Sequence, residues 1–408
     1  MDALILNQAT LLQGTLTFFA PCPRGLEALL VSELQALGAS DAQTAPGGAA
    51  FRGDMALCWR INLCSRIASR VLLQLVKAPY KTDKEVYDAT FAIDWPTLFE
   101  VAKSIRVDVN AIRSPVKSLD FVTLRIKDAV CDNFRAKVKS RPNVDTREPD
   151  IRIQGFLDAT HFTLYIDTSG EPLFKRGYRS DVGEAPLKEN LAAGIVMLTG
   201  WDRQSPLYDP MCGSGTLVIE AAMMALDMPP GALREFGFQK FLDHDADEWQ
   251  ALRTEVMGRA SKPRPLEIFA SDIAGRELRR TRDNLVAAGL ANVVVTAEAD
   301  ALEVPAPGKE GVLVTNPPYG VRIGETMDLA ELYPKLGDAF KARFAGWNCY
   351  VFSGDPQFAK LIRLKATRRT PLFNGPLECR LYEYRMVSGS ARKNAPDGDK
   401  PEQQEEGQ

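Results

Sequence analysis

Apolar residues along the first 80 positions switch between strand and helix spacing. Leu16-Thr17-Phe18-Phe19-Ala20 predicts a strand stopped by Pro21-Cys22-Pro23. Leu26, Leu29, Leu30, Leu34 and Leu37 then mark one helix face that ends at Gly38. After turns at Gly47-Gly48 and Gly53-Asp54, the pattern predicts a helix over 55–63 and a strand over 67–76. In a second stretch, Asp94-Trp95-Pro96-Thr97 opens a helix carrying Leu98, Val101, Ala102 and Ile105, followed by a strand over 105–111. Phe121, Leu124, Ala129, Val130, Phe134 and Val138 predict a long amphipathic helix over 120–138. Positions 151–157 and 162–167 alternate as strands around a turn that puts His161 at the surface.

From Leu207 onward, strand and helix patterns alternate. Strands are predicted from Leu207 and over 266–272, 293–300, 311–316 and 348–353, with helices over 217–226, 275–288 and 329–344. A further helix follows Pro186 and ends at Gly200. This alternation predicts an α/β architecture with a doubly wound, Rossmann-like sheet. Asn374-Gly375 joins strands over 367–373 and 379–386, predicting an antiparallel C-terminal hairpin at the sheet edge. Residues 231–262 are polar and helix-rich and read as an insertion. Residues 388–408 lack apolar periodicity and predict a disordered acidic tail, in which 397–408 carries five acids and one lysine. The domains expected are 15–78, 79–168 and 169–387.

Composition narrows the class. Hydrophobic content of 45% and charged content of 25% are those of a globular chain with sizeable cores. No apolar run approaches the roughly 18–20 residues of a membrane span, and the first 17 residues, with one charge and no basic cluster, do not read as a signal peptide. Seven scattered cysteines without a C-x-x-C pair, and only two histidines, argue against a disulfide framework and against a zinc site. A reducing cytoplasm is the expected compartment. Net charge is −3, but 113–147 holds nine Lys/Arg against four Asp, a footprint that fits phosphates or a solvated helix face.

The chemistry gathers at strand ends. Gly311-Val312-Leu313-Val314-Thr315 predicts a buried strand, and Pro317-Pro318 stops it just after Asn316. Such an edge of an open α/β sheet is where ligands bind. The Asn316 side-chain oxygen and the Pro317 carbonyl are two acceptors suited to an exocyclic amino group, and Tyr319 offers a ring for stacking on a base. Taken alone, the four residues could equally be a strand-ending turn. Gly213 and Gly215 let backbone approach a ligand at a helix start. Asp272 is placed like the acid that binds ribose hydroxyls, and Asp300 could accept from an adenine amino group. No Gly-Lys-Ser/Thr follows the turn, so an adenosine-containing ligand without a phosphate cradle is indicated.

Together, Asp209-Pro-Met-Cys-Gly-Ser-Gly-Thr216, Asp272, Asp300 and Asn316-Pro-Pro-Tyr319 resemble the successive motifs of class I S-adenosylmethionine-dependent amino-methyltransferases. The join Lys175-Arg-Gly-Tyr-Arg179 with Glu184-Ala-Pro-Leu-Lys-Glu-Asn190 is similar to the THUMP-domain branch that methylates the N2 amino group of guanine in bacterial 23S ribosomal RNA. The resemblance implies an α+β ferredoxin-like domain (15–78) and a THUMP RNA-binding domain (79–168) before a class I methyltransferase sheet (169–387). It implies S-adenosyl-L-methionine as cofactor, with Asp209, Gly213, Ser214, Gly215 and Thr216 at its amino-acid end. Asp272 would lie at its ribose and Asp300 at its adenine, with Ile273, Ala301 and Asn316 as further implied cofactor contacts. Asn316, Pro317 and Tyr319 are the implied catalytic residues, with no metal and no covalent intermediate. Lys127, Arg135, Lys137, Lys139, Arg141 and Arg322 are the implied RNA contacts, and 23S rRNA or a large-subunit precursor the implied partner. Larger relatives of this branch fuse a second methyltransferase, so only the guanine-N2 activity is expected here. A tRNA guanine, adenine N6 in DNA, and a non-catalytic ribosome-assembly role stay open as alternatives.

Overall fold

The computed structural model describes residues 14–179, 187–318 and 329–387. The 388–408 tail and the 1–13 lead-in lie outside them. Among the described residues the strands form two sheets of seven. The first contains β1 (Leu16–Pro21), β2 (Gln43–Ala45), β3 (Gly48–Gly53), β4 (Leu72–Pro79), β5 (Ile105–Ala111), β6 (Ile151–Leu157) and β7 (His161–Asp167), in the order β2-β3-β1-β4-β7-β6-β5. Antiparallel pairing of β4 with β7, from Leu72↔Asp167 to Pro79↔His161, fuses the first two stretches into one sheet.

The second sheet contains β8 (Leu207–Asp209), β9 (Ile268–Asp272), β10 (Val295–Glu298), β11 (Gly311–Thr315), β12 (Trp347–Ser353), β13 (Arg368–Asn374) and β14 (Leu377–Arg385), in the order β10-β9-β8-β11-β12-β14-β13. The strands from β10 to β12 run parallel, and β14 and β13 close the edge antiparallel. One hydrophobic core runs from Leu16 and Phe18 through the helices Glu189–Leu198 and Thr216–Ala225 into the second sheet. The other face of that sheet packs Tyr333, Leu336, Phe340 and Phe358. The two halves meet closely: a Cβ added at Gly194 would lie 2.4 Å from Leu26 Cδ1.

Several departures from the sequence pattern have physical causes. Strands β2 and β3 occupy the stretch around Gly47-Gly48, where small residues hide the strand period. A helix at Asp83–Phe91 is fixed by a Thr82/Glu85 capping box and buries little more than Val86 and Thr90, so it carries no apolar stripe. The helix expected over 98–105 is a 3₁₀ turn, Trp95–Thr97, because the buried Trp95 indole donates to the Thr90 carbonyl and Ser104 is tied to Asp150. β4 starts at Leu72, later than 67, since Glu33 and Ser65 take the amides of Arg66, Ile67 and Ala68. His161 is half-buried at the start of β7 rather than in a surface turn.

The 231–262 insertion is a clamp between the halves. Phe236, Phe238, His244 and Trp249 gather with Trp59 of the first half. Arg234 donates to the carbonyls of Ser169, Glu171, Pro172 and Lys175, and Lys240 pairs with Asp150 at 2.8 Å.

Candidate active site

Four neighbouring strands of the second sheet end in a row of polar residues. Across β10-β9-β8-β11 these are Asp300, Asp272, Asp209 and Asn316, all at the carboxyl edge. The chain leaves β8 toward β9 and β10 on one side and returns to β11 and β12 on the other. The crevice between β8 and β11 is therefore the topological switch point, where open α/β sheets bind ligands.

The turn after β8 is built to expose backbone. Gly213 has φ +52° with open space where a Cβ would sit, and Gly215 has φ +78° at the cap of the Thr216–Ala225 helix. A Cβ on Gly215 would come 2.7 Å from Thr281 Cγ2. Thr281 Oγ1 donates to the Gly213 carbonyl at 2.6 Å, and Asn284 Nδ2 to the Ser214 carbonyl at 2.9 Å. Ser214 Oγ lies 3.2 Å from Thr216 Oγ1.

Asp272 closes the turn from the next strand. Its two oxygens accept from the amides of Gly213 and Ala274, each at 2.9 Å. Burial nevertheless raises its carboxyl above the ordinary range. Ile273 beside it is 68% exposed. One strand further out, Asp300 caps its own turn through Leu302 N at 2.8 Å, and Ala301 is buried behind it.

Asp209 is 1% exposed and accepts from Thr315 Oγ1 at 2.8 Å and Met211 N at 3.1 Å. Burial pushes its carboxyl up to about 7, against the pull of those hydrogen bonds. Cys212 is buried, and its thiol is pushed above the usual range, so it carries no nucleophile.

At the tip of β11, Asn316 Oδ1 is buried and finds no hydrogen-bond partner among the described residues. Pro317 is buried, Pro318 is exposed, and the Pro318 carbonyl accepts from Tyr333 at 3.4 Å, which pins the tip. Tyr319 and Arg322 lie outside the described residues. An acceptor held out of water without a donor is costly, and an incoming amino group would satisfy it.

The basic helix, Leu119–Val138, carries much of its charge in local pairs. Lys127 meets Asp128, Arg135 meets Asp132 and Lys137 meets Asp94, at 2.7, 2.8 and 2.8 Å. Lys139 and Arg141 are exposed just beyond the helix end. Thr281, Asn284 and Thr315 escape a reading of motifs. The signal for the first two was present, as polar residues three apart on the buried side of the Gly275–Ala287 helix, beside Leu278 and Leu285.

A family model described as the RMKL-like methyltransferase domain matches residues 176–383, just over half of the chain. The chain belongs to the RMKL-like methyltransferase family. Ahead of that domain, an RlmL ferredoxin-like domain matches 17–72 and a THUMP domain matches 80–167. Relatives of the RMKL-like chain include the "Ribosomal RNA large subunit methyltransferase K/L" proteins of Psychromonas ingrahamii, 42% identical, and Shewanella loihica, 41% identical. The matches cover 91% and 93% of this chain but only 50% and 54% of those proteins, so the chain spans about half their length. Among solved structures, the methyltransferase SMU.472, complexed with SAH, is 29% identical with a TM-score of 0.83 over 93% of this chain and 100% of its own. TrmN from Thermus thermophilus, 20% identical with a TM-score of 0.67 over 92% of this chain and 100% of its own, shares the fold.

Proposed function

We propose that this chain transfers a methyl group from S-adenosyl-L-methionine to the exocyclic N2 amino group of a guanine in 23S ribosomal RNA. The observation that carries the reading is Asn316 Oδ1, a buried acceptor without a donor among the described residues, at the tip of β11. Its neighbours supply a fitting cradle: the open backbone at Gly213, the carboxylates of Asp209, Asp272 and Asp300, and the exposed Ile273. When bound, the cofactor supplies an electrophilic methyl on a sulfonium that leaves without needing a proton.

The protein's own residues do the positioning. Asn316 Oδ1 and the Pro317 carbonyl hold the amino protons and aim the nitrogen lone pair at the methyl carbon. The same acceptors stabilise positive charge as it develops on that nitrogen. Tyr319 stacks on the base. Asp209, Ser214, Gly215 and Thr216 hold the amino-acid end, Asp272 with Ile273 the ribose, and Asp300 with Ala301 the adenine.

The name shared by the 40%-identical relatives supports ribosomal RNA as substrate, and the THUMP match supports RNA contact through Lys127, Arg135, Lys137, Lys139, Arg141 and Arg322. We draw the domain boundaries at 15–78, 79–168 and 169–387 and place the protein in the cytoplasm, where its substrate is found. Mass spectrometry of nucleosides from rRNA and tRNA of a deletion strain tests the reading. Loss of N2-methylguanosine at one 23S position is expected. Loss from tRNA alone, or of no modification at all, would overturn it.

A further inference from the structure

The Lys175–Arg179 join does more than link the halves. Arg176 is fully buried: it pairs with Glu220 of the Thr216–Ala225 helix at 3.3 Å and donates to the Arg66 and Leu173 carbonyls. Gly177 turns the chain at φ +100°, where a Cβ would press on Leu233. Arg179 is thereby delivered to the start of the same helix. Its guanidinium, nine-tenths buried, donates to Thr216 Oγ1 at 2.8 Å and to the Leu187 carbonyl at 3.2 Å. It faces the equally buried Glu189 at 3.3 Å.

That placement is electrostatically odd. The N-terminal end of a helix carries partial positive charge and favours anions, yet a cation is held there and desolvated. Helix stability does not call for it, and Glu189 only compensates it. What the arrangement does achieve is a fixed chain from Arg179 to the Thr216 hydroxyl, 3.2 Å from Ser214 Oγ in the Gly-rich turn.

We propose that Arg179 is a positioning residue of the cofactor site, fixing Thr216 and through it Ser214 in the arrangement that receives the amino-acid end of S-adenosylmethionine. The proposal rests on the reading that this turn binds the cofactor. It also ties the join to the site, because Arg176, three residues before Arg179, contacts both halves.

Titration calorimetry with SAH tests it on the full chain. Arg179→Lys keeps a cation opposite Glu189 but cannot span the Thr216 hydroxyl and the Leu187 carbonyl together. Thr216→Val removes the hydroxyl and leaves the Arg179–Glu189 pair intact. Each is expected to weaken SAH binding about tenfold, the lower end of what supporting-shell losses cost. The double variant is expected to bind no worse than either single one, because both cut the same chain. Thr216→Ser, which keeps the hydroxyl, should recover most of the affinity that Thr216→Val loses. Melting temperatures near wild type exclude simple unfolding. Wild-type affinity in Arg179→Lys, or losses that multiply in the double variant, would overturn the proposal. Wild-type protein that takes up no SAH, or Asp272→Ala that takes it up undiminished, would instead overturn the cofactor reading.

Discussion

Removing the Asn316 side chain should separate stability from catalysis. An unpartnered buried amide oxygen costs about 1–3 kcal/mol relative to a satisfied one. Asn316 Oδ1 is such an atom among the described residues. Truncation to alanine relieves that cost and forfeits the contacts of one short, half-buried side chain, about 0.5–1 kcal/mol. Asn316→Ala should thus fold as well as wild type or up to about 2 kcal/mol better. On a domain of this size that corresponds to about 2–4 °C in melting temperature per kcal/mol. Methyl transfer should move the other way. Loss of a preorganised group facing developing charge lowers the rate by about 10²–10³, while SAH affinity stays within a few-fold of wild type. Transfer of labelled methyl from S-adenosylmethionine to 23S RNA from a deletion strain measures the first quantity. Calorimetry and thermal melts measure the others. A variant that melts well below wild type yet transfers methyl within tenfold of it would show that the oxygen is structural and refute its catalytic role.

Three further outcomes follow from the same geometry. Asp272→Ala should weaken SAH binding, since it removes the acceptor that holds Gly213 N and Ala274 N; unchanged affinity in a titration would refute its role. Gly215→Ala should lower both stability and SAH affinity, through a left-handed φ costing about 1–2 kcal/mol and the contact with Thr281 Cγ2. Thr281→Ser should recover part of the loss, and no recovery would assign the effect to φ alone. Asp209 has a folded carboxyl raised to about 7 from an ordinary 3.8, so the folded state binds the extra proton between those values. Its contribution to stability is fullest below the ordinary value and declines as pH rises toward 7. Asp209→Asn should flatten that slope in pH-dependent melts. SAH binding should strengthen up to about pH 7 and level off above it, and a pH-independent affinity would contradict the assignment.

Much of this architecture is legible in the chain because local chemistry and tertiary placement agree. The β-branched run before Pro317-Pro318 can hardly be anything but a buried strand with an abrupt end, and acids at 272 and 300 follow equally clear strands. Proteins of this kind hide what depends on distant partners. Thr281 and Asn284 look like ordinary polar positions until the Gly-rich turn lies against their helix. Arg179 acquires meaning only when Thr216 arrives beside it. The 231–262 segment reads as filler because its aromatic residues pack on Trp59, more than 170 positions away. Charge misleads in the opposite direction: the basic run over 113–147 is conspicuous in sequence, yet Arg125, Lys127, Arg135 and Lys137 are each held by an aspartate.

The pairing of β4 with β7 has a consequence for how the chain is made. A ribosome releases β4, ending at Pro79, well before β7, which begins at His161. At about 5–20 residues per second, the intervening segment takes roughly 4–16 s to emerge. Through that interval the nascent chain presents an apolar strand with one unsatisfied edge, the surface on which chains pair wrongly. The first sheet is therefore completed late, by its most distant neighbour. Slowing translation between these strands should lengthen the time during which a newly made chain depends on chaperones.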